Sequence, residues 1–314
     1  MTEALKDKTG LVVKSTGSRC VVRSPDGEML ECVIKGKFRM QGIRTTNPVA
    51  VGDRVFFHID PVLGRGVIHE IGDRKNYIIR KASNLSKESQ ILAANLDLAC
   101  LVATLRMPET YPEFIDRFLA AATAYRIPAC VVFNKTDLYH DSERQYVAEL
   151  GAMYRSVGYQ VLETSVPLGR NIDALRSLLA GKVSVVAGIS GVGKSSLINA
   201  MEPGSEQKIG TMSLSNLSGK HTTTFAEMMP LSSGGYIIDT PGIRGFGLVG
   251  FEREEIYHFF PDIFETAQAC QFHNCLHLQE PGCAVKEAVR TGRLSVLRYN
   301  SYVSIMDDQQ EKYR

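Results

Sequence analysis

Between residues 10 and 72 the apolar positions fall in short β-rich runs, GLVVKS, SRCVVRS, MLECVIKG, DRVFFHI and GVIHEI. The turn-forming STG, SPDG, AVGD and PVLG separate them. Five such runs predict a small β-barrel, with an OB-fold as one candidate. Residues 73–96 lose the pattern. Arg74, Lys75, Arg80, Lys81 and Lys87 make this stretch basic, SNLSKESQ is polar, and a linker is expected. From Asp97 onward, strand-like and helical runs alternate. LACLVAT, ACVVF, YQVLE and VSVVAG read as strands, and FAEMMPL and YIIDT as two more. Residues 113–126 place Phe114, Phe118, Ala122 and Tyr125 near one helical face. Further helices are expected over 141–157, over NIDALRSLLA and from SSLINAM. Such alternation predicts a mainly parallel sheet covered by helices, with ligands at the carboxyl ends of its strands. Beyond residue 251 the pattern is mainly helical. The expected organisation is a barrel over 1–72, a basic linker over 73–96, an α/β domain over 97–250 and a last domain over 251–314.

Composition changes this picture little. Charged residues are 22% and hydrophobic ones 44% of 314, with a net charge of +2, which is ordinary for a soluble globular protein. MTEALKDKTG has no apolar core of the kind a secretory signal needs. No apolar run approaches the roughly 18 residues of a membrane helix. A cytoplasmic protein without a membrane partner is the expectation. Lys35, Lys37, Arg39 and Arg44 cluster about one barrel strand, with Phe38 the best-placed aromatic; they read either as a solvated face or as a phosphate-backbone contact on RNA.

The chemistry lies at the strand ends. Gly188-Ile189-Ser190-Gly191-Val192-Gly193-Lys194-Ser195 fits G-x-x-x-x-G-K-[ST], follows a strand and opens a helix, with Ser196 next. Its glycines let backbone N–H groups wrap phosphates at a helix N-terminus. Lys194 is expected to neutralise the β- and γ-phosphates and the Ser195 hydroxyl to ligate Mg²⁺. Asn134-Lys135-Thr136-Asp137 follows another strand. A carboxylate at Asp137 accepts from both N1–H and the exocyclic amine of guanine, whereas adenine offers an unprotonated N1. Asn134 would tie the loops together, and the Lys135 stem would cover the ring. Thr164-Ser165 is placed to aim a backbone N–H at the guanine oxygen. Asp239-Thr240-Pro241-Gly242 ends a strand: Asp239 would hold Mg²⁺ through water, and the Gly242 N–H would sense the γ-phosphate. Within Lys220-His221-Thr222-Thr223-Thr224, Thr223 is the first choice to complete the Mg²⁺ shell.

The order of these motifs is unusual. The customary series runs P-loop, threonine switch, D-x-x-G, N-K-x-D, serine loop. Here N-K-x-D and the serine loop come first, which is a circular permutation. The D-x-x-G switch then leads directly into the C-terminal segment. That segment holds Cys270-x4-Cys275-x-His277-x5-Cys283, a Cys3His set suited to tetrahedral, structural Zn²⁺, with His273 as a competing fourth ligand. The other four cysteines, Cys20, Cys32, Cys100 and Cys130, sit in apolar runs and read as buried small hydrophobes. Lys286, Arg290, Arg293 and Arg298 in the tail read as RNA contacts or as a solvated helix face.

Barrel, permuted GTPase centre and Cys3His segment together resemble the RsgA/YjeQ-type small-ribosomal-subunit biogenesis GTPases over nearly the whole chain. The most specific marks are the inverted order, K-H-T-T-T, D-T-P-G-I-R and C-x4-C-x-H-x5-C. The resemblance implies an OB-fold barrel, a permuted P-loop GTPase domain and a zinc-binding, mainly helical domain. It also implies hydrolysis of GTP to GDP stimulated by the small (30S) ribosomal subunit, binding to its rRNA and a role late in maturation; a monomer is the expectation. Members of that family often carry an acidic residue after the switch arginine; here Gly245 follows Arg244. Many GTPases orient the attacking water with a glutamine after D-x-x-G. Ile243 stands there instead, so the free chain is expected to hydrolyse GTP slowly, with His221 as the candidate to position the water. Two other readings are a P-loop ATPase or kinase, and an RNA-binding protein with a structural nucleotide.

Overall fold

The computed structural model describes residues 7–16, 19–34, 48–62, 64–81, 89–203, 227–239, 248 and 251–311. His221, Thr223 and Gly242 lie outside these residues, as do Lys35, Lys37, Phe38, Arg39, Arg44, Lys87 and the side chain of Asp239. In chain order the first strands are β1 (Lys8–Ser15), β2 (Arg19–Arg23), β3 (Met29–Ile34), β4 (Arg54–Ile59), β5 (Gly66–Ile71), β6 (Tyr77–Lys81) and β7 (Ser89–Ala94). Next come β8 (Leu98–Ala103), α1 (Pro112–Ala124), β9 (Ala129–Phe133), α2 (Asp141–Ser156) and β10 (Gln160–Glu163). Then follow α3 (Ile172–Leu179), β11 (Lys182–Ala187), α4 (Lys194–Met201), β12 (Glu227–Pro230) and β13 (Gly235–Asp239). The C-terminal part holds α5 (Pro261–Ala267), α6 (Ala284–Arg290) and α7 (Val296–Glu311). No helix among the described residues is long and apolar enough to cross a membrane.

The chain divides into two units. The first comprises Met1–Leu98, Asp173–Val186 and Ile198–Phe246. Alternation along its early strands points Val12, Cys20, Val22, Cys32, Val55, Phe57 and Ile68 inward, and these form one core with Val49. Five strands close on themselves in the order β1-β2-β3-β5-β4, with Lys8–Leu11 of β1 paired back onto β4. β1 runs past its pairing with β4, and there Lys14 pairs with Glu227 of β12, which in turn runs antiparallel to β13. The Lys14 Nζ–Glu227 Oε2 distance is 2.9 Å. β13 pairs in parallel with β11.

Residues 73–96, which the polarity of SNLSKESQ marks as a linker, contain β6 and β7 paired as an antiparallel hairpin. Arg74 is not a surface charge. Its Nε and Nη2 each lie 2.6 Å from the two carboxylate oxygens of Asp53, whose side chain is 0% exposed, and Nη2 also donates to Pro48 O. A bidentate fork of this kind satisfies two buried charges at once.

The second unit comprises Ala99–Ile172, Ala187–Leu197 and Gly247–Arg314. β8, β9 and β10 run parallel, with Cys100, Cys130 and Val131 in the central registers. Every residue of β8 is buried, as expected of a parallel strand covered on both faces. α1 begins on Pro112, which fits a first helical turn, and buries Ile115, Phe118 and Leu119. It also buries Asp116. Arg298 of α7 meets it: Nη1 lies 2.7 Å from Asp116 Oδ1, while Nε and Nη2 hold Asp262 at 3.0 and 2.6 Å. Arg298 is 1% exposed, so neither expectation for this residue, RNA contact or solvated face, holds. Arg290 and Arg293 are exposed, and Arg290 pairs with Glu287.

Candidate functional site

β9 ends at Phe133, and the next residue, Asn134, has its side-chain amide engaged at both ends. Its Nδ2 donates to Val192 O at 2.9 Å, across 58 positions of sequence, and its Oδ1 accepts from Thr164 Oγ1 at 3.0 Å. One buried amide thus ties the N-K-x-D turn to the serine loop and to the P-loop. Gly193 makes the approach possible. It sits at φ +96°, and a Cβ there would lie 2.5 Å from Asn134 Nδ2. Lys135 takes φ +59°, and its Nζ donates to Gly191 O at 2.7 Å and Met107 O at 2.5 Å. Thr136 is buried, and both its N–H and its hydroxyl donate to Thr164 O.

Asp137 is oriented from the serine loop. Ser165 Oγ donates to Asp137 Oδ1 at 2.6 Å, a short, charge-assisted bond. The Ser165 N–H donates to Arg170 O at 3.3 Å. Sequence reading singled out Ser165 for its backbone and missed the bond of its hydroxyl to the aspartate. It also missed Tyr139, whose hydroxyl donates to Asn134 O at 2.6 Å.

The P-loop joins β11 to α4. Gly188, at φ +145°, passes so close to β8 that a Cβ would stand 2.4 Å from Val102 O. Val192 is fully buried and anchors the turn, Ile189 is half-buried, and Ser190, Gly191, Ser195 and Ser196 are exposed. Lys194 opens α4, and its Nζ donates to Gly188 O at 2.8 Å and Ile189 O at 3.0 Å, at the loop's mouth. The N-terminal end of α4 carries the positive end of the helix dipole, which favours an anion.

The Cys3His set converges. The donor atoms of Cys270, Cys275, His277 and Cys283 all lie within 4.8 Å of one another. His277 Nδ1 is 3.6 Å from Cys270 Sγ and 3.5 Å from Cys283 Sγ, and these two sulfurs are 3.9 Å apart. Tetrahedral bonds of about 2.3 Å to sulfur and 2.0–2.1 Å to nitrogen set donor atoms roughly 3.5–3.8 Å apart, so the donors fit a Zn-sized ion. His273 is exposed and outside the cluster. Burial pushes the Cys275 thiol up to about 12, so a cation is what would hold it as a thiolate. Burial likewise holds His277 below its ordinary range, leaving a neutral imidazole with a lone pair to offer. Glu280 shapes the knuckle: Oε1 accepts from Leu276 N, and Oε2 from Leu278 N and Gln279 N. Tyr299 and Tyr302 of α7 donate to His277 O and Leu276 O at 2.8 and 2.6 Å.

Comparison with known proteins agrees with this geometry. The RsgA GTPase family matches residues 71–249, and the RsgA N-terminal domain matches residues 9–68. The chain is 53% identical over 306 residues to a small ribosomal subunit biogenesis GTPase RsgA of Bacteroides fragilis, covering 97% of this chain and 98% of the relative. A Porphyromonas gingivalis relative of the same name is 50% identical over 312 residues, at 97% and 98% coverage. Among solved structures, YjeQ from Thermotoga maritima superposes with a TM-score of 0.78 at 36% identity, covering 96% of this chain and 98% of that one. YloQ, described as a circularly permuted GTPase, gives 0.75 at 30%, covering 99% and 98%. With its motifs in permuted order, its closed barrel and its Cys3His cluster, the chain belongs to the RsgA family of GTPases.

Proposed function

We propose that the chain hydrolyses GTP between the Asn134–Asp137 turn and the Gly188–Ser196 loop, and that the small (30S) ribosomal subunit and its rRNA stimulate it late in subunit assembly. The observation that supports this reading is the 2.9 Å bond from Asn134 to Val192, because it joins a base-reading turn to a phosphate loop. The subunit enters through the relatives, which are named for its biogenesis. In this reading Asp137, steadied by Ser165, takes the guanine N1–H and amine, and Lys135 covers the ring. Lys194 and the P-loop amides take the phosphates, and Gly242 senses the last of them. Mg²⁺ bound with GTP supplies charge neutralisation at the phosphates. Ser195, with an exposed side chain at the start of α4, is suited to hold it, with Thr223 and Asp239 as the other ligands. Ile243 gives the free enzyme no water-orienting side chain, and His221 takes that role when rRNA is bound. Zn²⁺ is the ion proposed for Cys270, Cys275, His277 and Cys283, as a structural support. The protein works as a cytoplasmic monomer.

The test is GTP turnover by the chain alone, with purified small subunits and with large subunits. Slow turnover that only small subunits accelerate is expected. Absence of turnover even with small subunits overturns the proposal in favour of a structural nucleotide. Equal use of ATP overturns it in favour of a P-loop ATPase or kinase. His221→Ala should remove the stimulated part; unchanged stimulation sinks its role.

A further inference from the structure

Tyr139 lies five positions beyond Asn134, outside every nucleotide motif, and is 3% exposed. Its hydroxyl sits at a junction. It donates to Asn134 O at 2.6 Å and accepts the Leu105 N–H at 3.0 Å, from 34 positions earlier. Leu105 lies in the loop that leaves β8 at Thr104, and that loop reaches the P-loop. Met107 O accepts from Lys135 Nζ, and Pro108 Cδ would stand 3.3 Å from a Cβ on Gly191. The loop is pinned at its base, where Thr110 N donates to Thr104 O at 2.7 Å and Thr104 N to Thr110 Oγ1 at 3.2 Å. It is also held to α2 by Arg106 and Glu143, 3.4 Å apart.

We propose that Tyr139 is a positioning residue for guanine recognition: its hydroxyl clamps the Asn134 backbone to the Leu105–Thr110 loop, which walls the nucleotide beside Gly191 and Lys135. This rests on the nucleotide reading above. The Asn134 carbonyl is buried and needs a partner there, whereas Leu105 is half-buried. Burial pushes the phenol up to about 12, so it keeps its proton and remains a donor at any working pH. Neither bond involves a motif side chain. The clamp therefore acts on where the Asn134–Asp137 turn stands, not on the chemistry of its side chains.

Tyr139→Phe in the full, zinc-loaded chain keeps the ring and removes the hydroxyl. GDP and GTP dissociation constants should rise about three- to tenfold, the cost of two backbone groups, one of them buried, losing a partner. The preference for GTP over inosine triphosphate should fall with them, because that ratio reads the placement of Asp137 against the guanine amine. Turnover at saturating GTP with small subunits should stay within about twofold, since no group at the phosphates is touched. A folded variant with an unchanged GDP dissociation constant and an unchanged GTP-to-inosine preference overturns the proposal, even if its melting temperature drops. If the variant does not fold, amide exchange at Leu105 in the unaltered protein decides. Protection that deepens with GDP supports the clamp; an unprotected Leu105 amide sinks it. An unaltered protein that shows no guanine preference at all would refute the base-reading turn instead, so the two failures are distinguishable.

Discussion

Arg298→Met offers the sharpest test of how the C-terminal helices are held to α1. Arg298 is 1% exposed, Asp116 is 0% exposed, and Asp262 is 18% exposed. Methionine fills much of the same space and leaves Asp116 as a buried carboxylate without its cation. Breaking a buried pair in this way costs about 3–5 kcal/mol. The guanidinium also lies 5.0 Å from the Phe260 ring centroid, an attraction of about 1 kcal/mol that is lost as well. The cost depends on pH. Burial raises the Asp116 carboxyl to about 6, with Arg298 pulling it down; the Tyr154 phenol and Asp262 also face it. A raised carboxyl adds stability when protonated, fully present below about 3.8 and lost as pH climbs through about 6. Without Arg298 the carboxyl rises further, so the variant keeps its proton to higher pH than the native protein. The loss should be largest near pH 8 and clearly smaller near pH 5.5. Guanidinium unfolding followed by circular dichroism at both values checks this, with Arg298→Lys as the variant that keeps charge and loses the fork. A loss below about 1 kcal/mol, the range of a surface pair, refutes the argument. So does an equal loss at the two pH values.

Asp137→Asn should weaken GTP binding by about two orders of magnitude or more, because two hydrogen bonds to a charged group are lost, and should shift preference towards xanthosine triphosphate. Competition with fluorescent GDP measures both. Gly193→Ala places a methyl 2.5 Å from Asn134 Nδ2 at a left-handed φ, and should weaken GDP binding at least tenfold in calorimetry while α1–α7 packing is retained. Glu280→Gln replaces an acceptor of three backbone N–H groups by an amide with one acceptor oxygen. Zinc should then pass to a colorimetric chelator several-fold faster than from the native chain, and an unchanged release rate would show that the knuckle does not need the carboxylate.

The barrel strands were legible because alternation is local: each predicted run overlaps an observed strand, and Val12, Cys20, Val22 and Phe57 point inward as the period demands. The P-loop and N-K-x-D turn were legible for the same reason, since each is a few adjacent residues placed after a strand. What stayed hidden depends on partners far away in sequence. Arg298 finds Asp116 across 182 positions, and nothing around Arg298 marks it as paired. In α1 the clue was a charge on an apolar face, Asp116 beside Ile115 and Phe118, which periodicity alone counts as noise. The β6–β7 pairing was obscured because basic residues and the polar SNLSKESQ run look like a linker when only composition is weighed. The hydroxyls of Ser165 and Tyr139 belong to residue types too common to signal anything before the loops are folded together.

The first strand of the barrel is also a strand of the neighbouring sheet, through Lys14 and Glu227. The barrel is therefore not a detachable cap. Cutting the chain ahead of residue 73 would strip Glu227, at the start of β12, of its strand partner and its cation, and so lengthen an edge open to a foreign strand. Such a truncated protein would aggregate or lose the alignment of β13, and its lost activity would be misread as the loss of an RNA-binding head.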